Sequence, residues 1–339
     1  MSPPIQPVEE IEGVDAARFE RESIPAYRPA VIRGLAADWP LVAAARDGAE
    51  QAIDYIADFD SGKPADVMIA PPSERGRFFY RADRSGFNFV RRPGTVSQVG
   101  RRLLDDRAAT DPPGLYAGAT ETAQHLPGFD LANPLPLAMG RPGTASRLWL
   151  SGRATIAPHY DLSDNIAVVA LGRRRFTLFP PEATEHLYVG PLENTPAGQP
   201  VSMVDIDAPD LALYPDYPKA EALALTAELA PGDAIYVPSF WWHGVAALDP
   251  VNILVNYWFD AAGDERPFAA FLLALSEIRD LPAPQREAWR RWFDHFVFTD
   301  DPAATTAHLP DHFKGVQGPP SPGRAEMIRA YVRRAFGID

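Results

Sequence analysis

The sequence contains no cysteine in its 339 residues. A chain without thiols cannot build a disulfide framework, a zinc finger, a cysteine nucleophile or an iron–sulfur cluster held by thiolates. Any metal ion bound by side chains of this protein would therefore lie on histidine, aspartate or glutamate.

Long apolar segments are missing as well. The longest apolar run, 268–275, is far shorter than the roughly 20 residues that a membrane-spanning helix requires. The first residues also lack the basic start and the apolar run of a signal peptide. We therefore expect a cytoplasmic protein that does not associate with a membrane.

Positive charge is in short supply. The chain has 32 lysine and arginine residues against 45 aspartate and glutamate residues, which gives a formal net charge of −13. Because an acidic surface repels phosphate groups, we expect no nucleic-acid partner.

Apolar residues and proline are plentiful by contrast. The apolar share of 46% is enough to bury a core, which excludes disorder of the whole chain. The 36 proline residues are about twice the usual share of roughly 5%, and they favour turns and strand ends over long helices.

A barrel of short strands is predicted in the middle of the chain. At about 150 residues per domain, 339 residues would form two domains, although a single barrel can take roughly 200–250. Short β-rich runs separated by turns are typical of an antiparallel barrel or jelly roll. They lie at Leu148–Leu150, Ile166–Leu171, Arg174–Phe179, Ala234–Pro238 and Asn252–Phe259.

Helical patterns flank this predicted barrel. Residues 15–22 and 41–59 have helical spacing, with a short strand at Pro29–Gly34 between them. Amphipathic segments follow the barrel at Phe268–Ile278, Gln285–Phe298 and Arg324–Phe336. We therefore predict one domain over residues 1–262, with its core at 146–260, and a helical region over 263–339.

A candidate metal site lies in the predicted barrel. His159 and Asp161 are two residues apart, so on a strand both side chains point to the same face. His243, which follows the predicted strand Ala234–Pro238, is the best third ligand. Two histidines and one carboxylate leave three positions open on an octahedral metal, as a non-haem Fe(II) oxygenase requires. The pair His159 and Asp161 by itself is weak evidence, because a lone strand histidine more often makes an ordinary hydrogen bond.

The wider set of motifs resembles the JmjC/cupin-like 2-oxoglutarate oxygenases, particularly the bacterial cupin-like proteins and the asparaginyl hydroxylase that inhibits hypoxia-inducible factor. The resemblance is dense over 146–260 and thinner before it, at Pro29–Gly34 and Trp39-Pro40. It implies a mainly β fold with α-helices: a double-stranded β-helix (jelly-roll) core, flanking N-terminal elements and a C-terminal helical tail. The matching segments are Pro158–Asp161, Asn165, Leu178–Pro181, Leu187-Tyr188, Ser202–Asp207, Ala230–Asp233, Ile235–Pro238, Trp241–His243 and Val255–Trp258.

The resemblance also implies roles for individual residues. His159, Asp161 and His243 match the ligands of the catalytic Fe(II). Arg174 stands where the family has a lysine that binds the distal carboxylate of 2-oxoglutarate, and arginine can pair with a carboxylate bidentately. Tyr116 matches a tyrosine that hydrogen-bonds the same carboxylate.

Further cosubstrate contacts follow from the same resemblance. Thr155 stands beside Ile156, which occupies the position of a family threonine. Asn165 and Asn256 match inward polar residues near the iron and the cosubstrate. The strand alternation of Asn256 with Leu254 and Trp258 predicts that all three face the interior. The expected apolar wall of the pocket consists of Trp258, Phe176 and Ile166.

We expect a 2-oxoglutarate-dependent dioxygenase that hydroxylates a C–H bond of a peptide or protein side chain, or of a small molecule. Two alternatives stay open: a cupin metalloenzyme that does not use 2-oxoglutarate, and a non-catalytic binding protein. Because the C-terminal helices of the related hydroxylase form a homodimer interface, residues 263–339 are a candidate for the same role. The aromatic residues that would pack there are Trp289, Trp292, Phe293 and Phe296.

Overall fold

The computed structural model describes residues 5–196, 198–259 and 266–337. The chain divides into two compact units, Met1–Asp264 and Glu265–Asp339, each of which is described here by itself. The predicted boundary between residues 262 and 263 lies outside the described residues.

Two β-sheets dominate the first unit. One has six strands in the order β1-β12-β11-β14-β9-β5, and the other has nine in the order β2-β3-β13-β10-β15-β8-β7-β4-β6. The strands are β1 (Gln6–Pro7), β2 (Glu9–Glu10), β3 (Ala30–Ile32), β4 (Ala65–Ala70), β5 (Arg77–Phe78), β6 (Val90–Gly94), β7 (Gly114–Glu121), β8 (Ala145–Ser151), β9 (Ala154–His159), β10 (Asp164–Leu171), β11 (Arg174–Phe179), β12 (Leu225–Leu229), β13 (Ala234–Val237), β14 (Trp242–Ala247) and β15 (Asn252–Phe259).

The two sheets pack face to face around a common apolar layer. Side chains of the six-stranded sheet, such as Phe176 and Leu178, meet side chains of the nine-stranded sheet, such as Val169, Ile235 and Leu254, in one buried cluster. Burial of apolar surface on this scale is the main stabilising contribution to such a sandwich. The arrangement is a β-rich fold consistent with the predicted jelly-roll core.

Helices cover the outer face of the nine-stranded sheet. Apolar side chains of α3 (Pro40–Asp47), α4 (Ala49–Ala57) and α5 (Val96–Asp106) pack there against Val168 and Val255. Helix α5 starts with a capping box, in which Thr95 and Gln98 each accept a hydrogen bond from the other's backbone N–H. The helices of the first unit are α1 (Ala16–Arg18), α2 (Ile24–Ala26), α3 (Pro40–Asp47), α4 (Ala49–Ala57), α5 (Val96–Asp106), α6 (Thr122–His125), α7 (Phe129–Ala132) and α8 (Tyr217–Glu221).

The segment Leu171–Arg174 has the glycine typical of a hairpin turn, but no hairpin forms, because β10 and β11 belong to different sheets and do not pair with each other. Gly172 lies in the turn between the two strands and has a φ of 72°, a backbone conformation that residues other than glycine rarely adopt. A Cβ at this position would also collide with Asn252 and Val251. The turn, which leads from the nine-stranded to the six-stranded sheet, places Arg174 at the first position of β11.

The second unit is helical. It contains α9 (Arg266–Glu277), α10 (Ala283–Phe296) and α11 (Pro322–Phe336), close to the three predicted segments. Among the side chains described from 267 to 337, Thr306 is the only one that is buried. Across the parts of the chain that the structure describes, no helix combines the length and the apolarity needed to cross a membrane.

Candidate active site

A cavity of about 250 Å³ lies between the two sheets. Both sheets contribute to its wall. Its strand residues come from β5, β9, β11 and β14 of the six-stranded sheet and from β4, β6, β7, β8, β10 and β15 of the nine-stranded sheet. The residues that matter for its chemistry are Asp66, Arg91, Tyr116, Trp149, His159, Asp161, Asn165, Arg174, His243, Asn256 and Trp258.

The three candidate metal ligands come together in this cavity. His159, the last residue of β9, is directly opposite His243 of β14 in the strand register. The sequence spacing predicts that Asp161 lies on the same strand as His159. In the structure it lies two residues beyond the end of that strand. Its Oδ2 is 3.6 Å from His243 Nε2, and one ligand atom from each of the three residues falls within 4.8 Å of the others.

Backbone carbonyls determine which ring nitrogen of each histidine faces the site. Nδ1 of His159 is 3.0 Å from the carbonyl of Ala157, and Nδ1 of His243 is 3.0 Å from that of Trp241. A histidine that donates from Nδ1 presents the lone pair of Nε2, which is the usual arrangement in metal sites. Burial, together with the neighbouring His243, lowers the pKa of His159 to about 4, so its ring is neutral at pH 7 and able to bind a metal.

Asp161 is held by two side-chain donors. Trp258 Nε1 donates to its Oδ2 at 3.0 Å, and Asn165 Nδ2 donates to the same oxygen at 3.2 Å. Its backbone carbonyl accepts a hydrogen bond from the N–H of Phe240 at 2.9 Å. Phe240 has a φ of 63°, a strained value for a bulky residue. The loop before β14 is therefore tied to the loop that carries Asp161.

The hydrogen bonds continue behind Asn165. Asn256 Nδ2 donates to Asn165 Oδ1 at 3.1 Å, and Trp149 Nε1 donates to Asn256 Oδ1 at 2.6 Å. Both asparagines are buried, so their amide groups would be costly without these partners. As the strand alternation predicts, Asn256 faces the cavity together with Leu254 and Trp258.

Arg174 is a buried cation with free hydrogen-bond donors. Its side chain lines the cavity and is 2% exposed, and both Nε and Nη2 lack a hydrogen-bond partner. Tyr116 is the neighbouring polar side chain; burial raises its pKa to about 12, while the guanidinium beside it acts in the opposite direction. Burial lowers the pKa of Arg174. A buried charge with unused donors indicates a site for an anion.

The register of β11 and β14 separates this candidate anion site from the candidate metal ligands. Arg174 is opposite Ala247, whereas His243 is opposite Leu178. The two sites are therefore four residues apart along β14, or roughly 13 Å of strand. Phe176 and Val245 line the wall between them, so an elongated molecule with an anionic end would fit along this line.

Two residues that the sequence analysis places in the pocket, Thr155 and Ile166, do not line the cavity. A bulge shifts the pairing of β9 with β14 between His159 and Ile156, so that Ile156 lines the cavity while Thr155 does not. Ile166 was expected in the pocket wall, yet it packs in the cluster under the helices, because its neighbour Asn165 takes the inward position.

Some residues of the cavity were missed by sequence reasoning. Trp149 had a signal, since Leu148 and Leu150 on either side of it pack in the outer cluster and strand alternation then turns Trp149 inward. Asp66 and Arg91 had no such signal, because β4 and β6 lie in a stretch with weak patterns. They are joined to the rest of the sheet by the long-range pairing of β4 with β7, and β6 pairs with β4. The two residues form an ion pair beside Pro196.

Proteins similar to this chain include HSPB1-associated protein 1 and tRNA wybutosine-synthesizing protein 5. HSPB1-associated protein 1 from Homo sapiens is 34% identical over 154 residues, which cover 44% of this chain but only 30% of the relative. tRNA wybutosine-synthesizing protein 5 from Danio rerio is 27% identical over 319 residues, 82% of this chain and 88% of the relative. The protein of that name from Homo sapiens is 23% identical over 84% of this chain and 93% of its own length. The model of the Cupin-like domain matches residues 16–265, and the chain therefore belongs to the Cupin-like domain family.

Proposed function

We propose that this protein is an Fe(II)- and 2-oxoglutarate-dependent oxygenase with a double-stranded β-helix core. One observation carries the proposal: a cluster of two histidines and one aspartate shares a cavity with a buried arginine whose donors are unused. The first group suits a metal with open positions, and the second suits a cosubstrate with a carboxylate. The narrower likeness to the asparaginyl hydroxylase stays a prediction.

His159, Asp161 and His243 would hold the metal. Their Nε2 and carboxylate oxygens form the donor set of a facial triad, which suits Fe(II). When bound, iron with 2-oxoglutarate and O₂ supplies the oxidation of a substrate C–H bond, and 2-oxoglutarate becomes succinate and CO₂. The hydrogen bonds from Trp258 and Asn165 keep the carboxylate of Asp161 turned toward the two imidazoles.

Arg174 would bind the distal carboxylate of 2-oxoglutarate. Its Nε and Nη2 offer two parallel N–H groups to a carboxylate, and the guanidinium stays charged in spite of its burial. The Tyr116 hydroxyl, which remains protonated with a pKa of about 12, can donate a further hydrogen bond. Phe176 and Val245 keep water away from the chain of carbon atoms between the two ends.

Of the other predicted cosubstrate contacts, the structure supports some and contradicts one. Asn165, Asn256 and Trp258 face the cavity and would border the metal and the cosubstrate. Thr155 is withdrawn as a contact, because the bulge in β9 turns it away. Ile156 takes its place in the wall and contributes apolar surface only.

The substrate is proposed to be a peptide or protein side chain, or a small molecule. The net charge of −13 argues against a nucleic acid. The name of one relative refers to tRNA, so tRNA belongs in the substrate screen together with peptides and small molecules. Mass spectrometry for a gain of one oxygen atom would identify the substrate.

Three measurements on the purified protein test the proposal. We expect about one Fe(II) per chain, anaerobic binding of 2-oxoglutarate to the iron-loaded protein, and formation of succinate in air. Metal binding without succinate would favour a cupin metalloenzyme that does not use 2-oxoglutarate. Ligand binding without metal binding would favour a non-catalytic binding protein.

We also propose that residues 263–339 form a homodimer interface, and that the protein is cytoplasmic. Large apolar side chains of this region are exposed: Trp292 by 61%, Tyr331 by 64% and Phe298 by 71%. Contact with a second copy would remove such surface from water. Cell fractionation would test the location.

The replacement Trp292→Glu tests the dimer. It should convert the protein to a monomer in light scattering after size exclusion, because a charge would be buried in the interface. The matched control is Arg290→Glu on the same helix, where the side chain is 74% exposed. A Trp292→Glu variant that stays dimeric would contradict the proposed interface.

A further inference from the structure

A single row of hydrogen bonds leads from Trp149 to the candidate metal ligand Asp161. Trp149 Nε1 donates to Asn256 Oδ1 at 2.6 Å, and Asn256 Nδ2 donates to Asn165 Oδ1 at 3.1 Å. Asn165 Nδ2 then donates to Asp161 Oδ2 at 3.2 Å. The row crosses from β8 through β15 to β10, three neighbouring strands of one sheet.

The two ends of the row determine its direction. An indole N–H can only donate a hydrogen bond, and an ionised carboxylate can only accept one. Asn256 must therefore turn its oxygen toward Trp149, which turns its NH₂ toward Asn165. Asn165 must in turn present its NH₂ to Asp161, so the orientation of both amides follows from the indole.

The position of the Trp149 ring is itself closely determined. The ring lies between Tyr116 and Trp258, with centroid distances of 5.9 and 6.2 Å. Gly118 makes room for it, because a Cβ there would lie 3.0 Å from the indole Cζ3 and 2.6 Å from Tyr116 Cε1. A ring packed in this way presents its N–H in one place.

We propose that Trp149 is a positioning residue for Asp161, acting through Asn256 and Asn165. The proposal rests on the proposed function, since the orientation of Asp161 matters there as that of a metal ligand. Without the indole N–H, the Asn256 amide is free to turn its oxygen toward Asn165, which breaks the row. The Asp161 carboxylate would then keep Trp258 as its one fixed side-chain donor.

The test compares two Trp→Phe variants that keep an aromatic ring and lose the N–H. Trp149→Phe should weaken Co(II) binding about tenfold in an anaerobic titration followed by visible absorption, because outer partners of metal ligands commonly contribute a factor of 10–100. Trp39→Phe is the matched control. Its Nε1 donates to the Pro134 carbonyl at 2.8 Å, and it packs in the cluster under the helices. Its Co(II) affinity should equal that of the unchanged protein.

A double-mutant cycle separates transmission from simple packing. Asn256→Ala interrupts the row, so adding Trp149→Phe to this variant should change Co(II) affinity by less than twofold. Independent packing effects would instead multiply. In the metal-free protein, Trp149→Phe should also shift the side-chain NH₂ signals of Asn165 in NMR spectra, whereas Trp39→Phe should leave them in place.

The outcomes are distinct. Unchanged Co(II) affinity in Trp149→Phe, multiplicative effects in the cycle, or an unmoved Asn165 signal would each overturn the role of Trp149. Failure of the unchanged protein to bind Co(II) would overturn the proposed metal site and, with it, the role of Trp149 in metal binding. The metal-free NMR signals would still report whether the row connects Trp149 to Asn165.

Discussion

The two ends of the cavity treat their polar groups in opposite ways. Around Asp161, donors and acceptors of the protein pair with one another, from Trp258 and Asn165 back to Trp149. Around Arg174, two of the guanidinium donors have no partner. The candidate metal end is thus organised by the protein itself, whereas the other end would depend on the proposed anionic cosubstrate for its hydrogen bonds. Substitutions at the two ends should therefore differ in their effects on turnover and on stability.

The largest effect is expected at the metal end. Asp161→Ala removes the one carboxylate of the ligand set, and it should lower the turnover of 2-oxoglutarate by at least about 10³-fold, because two imidazoles alone hold Fe(II) weakly. Succinate formation measures the loss. The control is Asp164→Asn, whose carboxylate accepts hydrogen bonds from Tyr236 and Ser239. Turnover by Asp161→Ala at the rate of the unchanged protein would mean that the proposed centre is wrong.

At the end of the cavity that contains Arg174, a substitution should lower the activity without lowering the free energy of unfolding. Arg174→Met replaces the buried guanidinium by an uncharged side chain of similar length. The KM for 2-oxoglutarate should therefore rise about 100-fold. Without an anion, however, the free energy of unfolding should stay the same or rise by about 1–2 kcal/mol, because an unpaired buried charge is costly.

Urea denaturation with and without 2-oxoglutarate checks this contrast. The unchanged protein, loaded with a redox-inert divalent metal, should gain about 2.7 kcal/mol when the ligand is present at 100 times its Kd. The Arg174→Met variant should gain far less at the same concentration. A variant that is much less stable than the unchanged protein in the absence of ligand would show that Arg174 has a structural partner.

A smaller effect is expected for the neighbour of Arg174. Tyr116→Phe removes one hydroxyl donor and keeps the packing against Trp149. The KM for 2-oxoglutarate should rise about three- to tenfold, because a typical hydrogen bond contributes about 1 kcal/mol. Steady-state kinetics would measure it, and the affinity for the metal should not change. A loss of metal affinity would place Tyr116 at the other end of the cavity.

Much of the barrel could be predicted from local patterns. β10, β11 and β15 are apolar runs with clear turns around them, and the structure confirms these three strands. β12 and β14 were outside the predicted runs. β14 contains a tryptophan, a histidine and small residues, and it becomes a strand because it pairs with β9 on one side and β11 on the other. Long-range pairing of this kind has no local signature.

Strand alternation predicts which side chains face the cavity only where the strands are regular. It correctly predicts that Asn256 and Trp258 face the cavity. It failed near His159, because the bulge in β9 changes which residue faces the cavity. Asp161 reaches the site from beyond the end of the strand, where alternation no longer applies.

The amino-acid sequence by itself determined the kinds of ligand that are present. Without cysteine, a metal site must use imidazole and carboxylate, and the motif spacing selected His159, Asp161 and His243. Only the tertiary structure decided how they meet and what supports them. The pairing of His159 with His243, the row from Trp149 to Asp161 and the contact of Arg174 with Tyr116 each join residues that are far apart in the chain. Such contacts depend on register and burial, which are properties of the packed sheets rather than of any short segment.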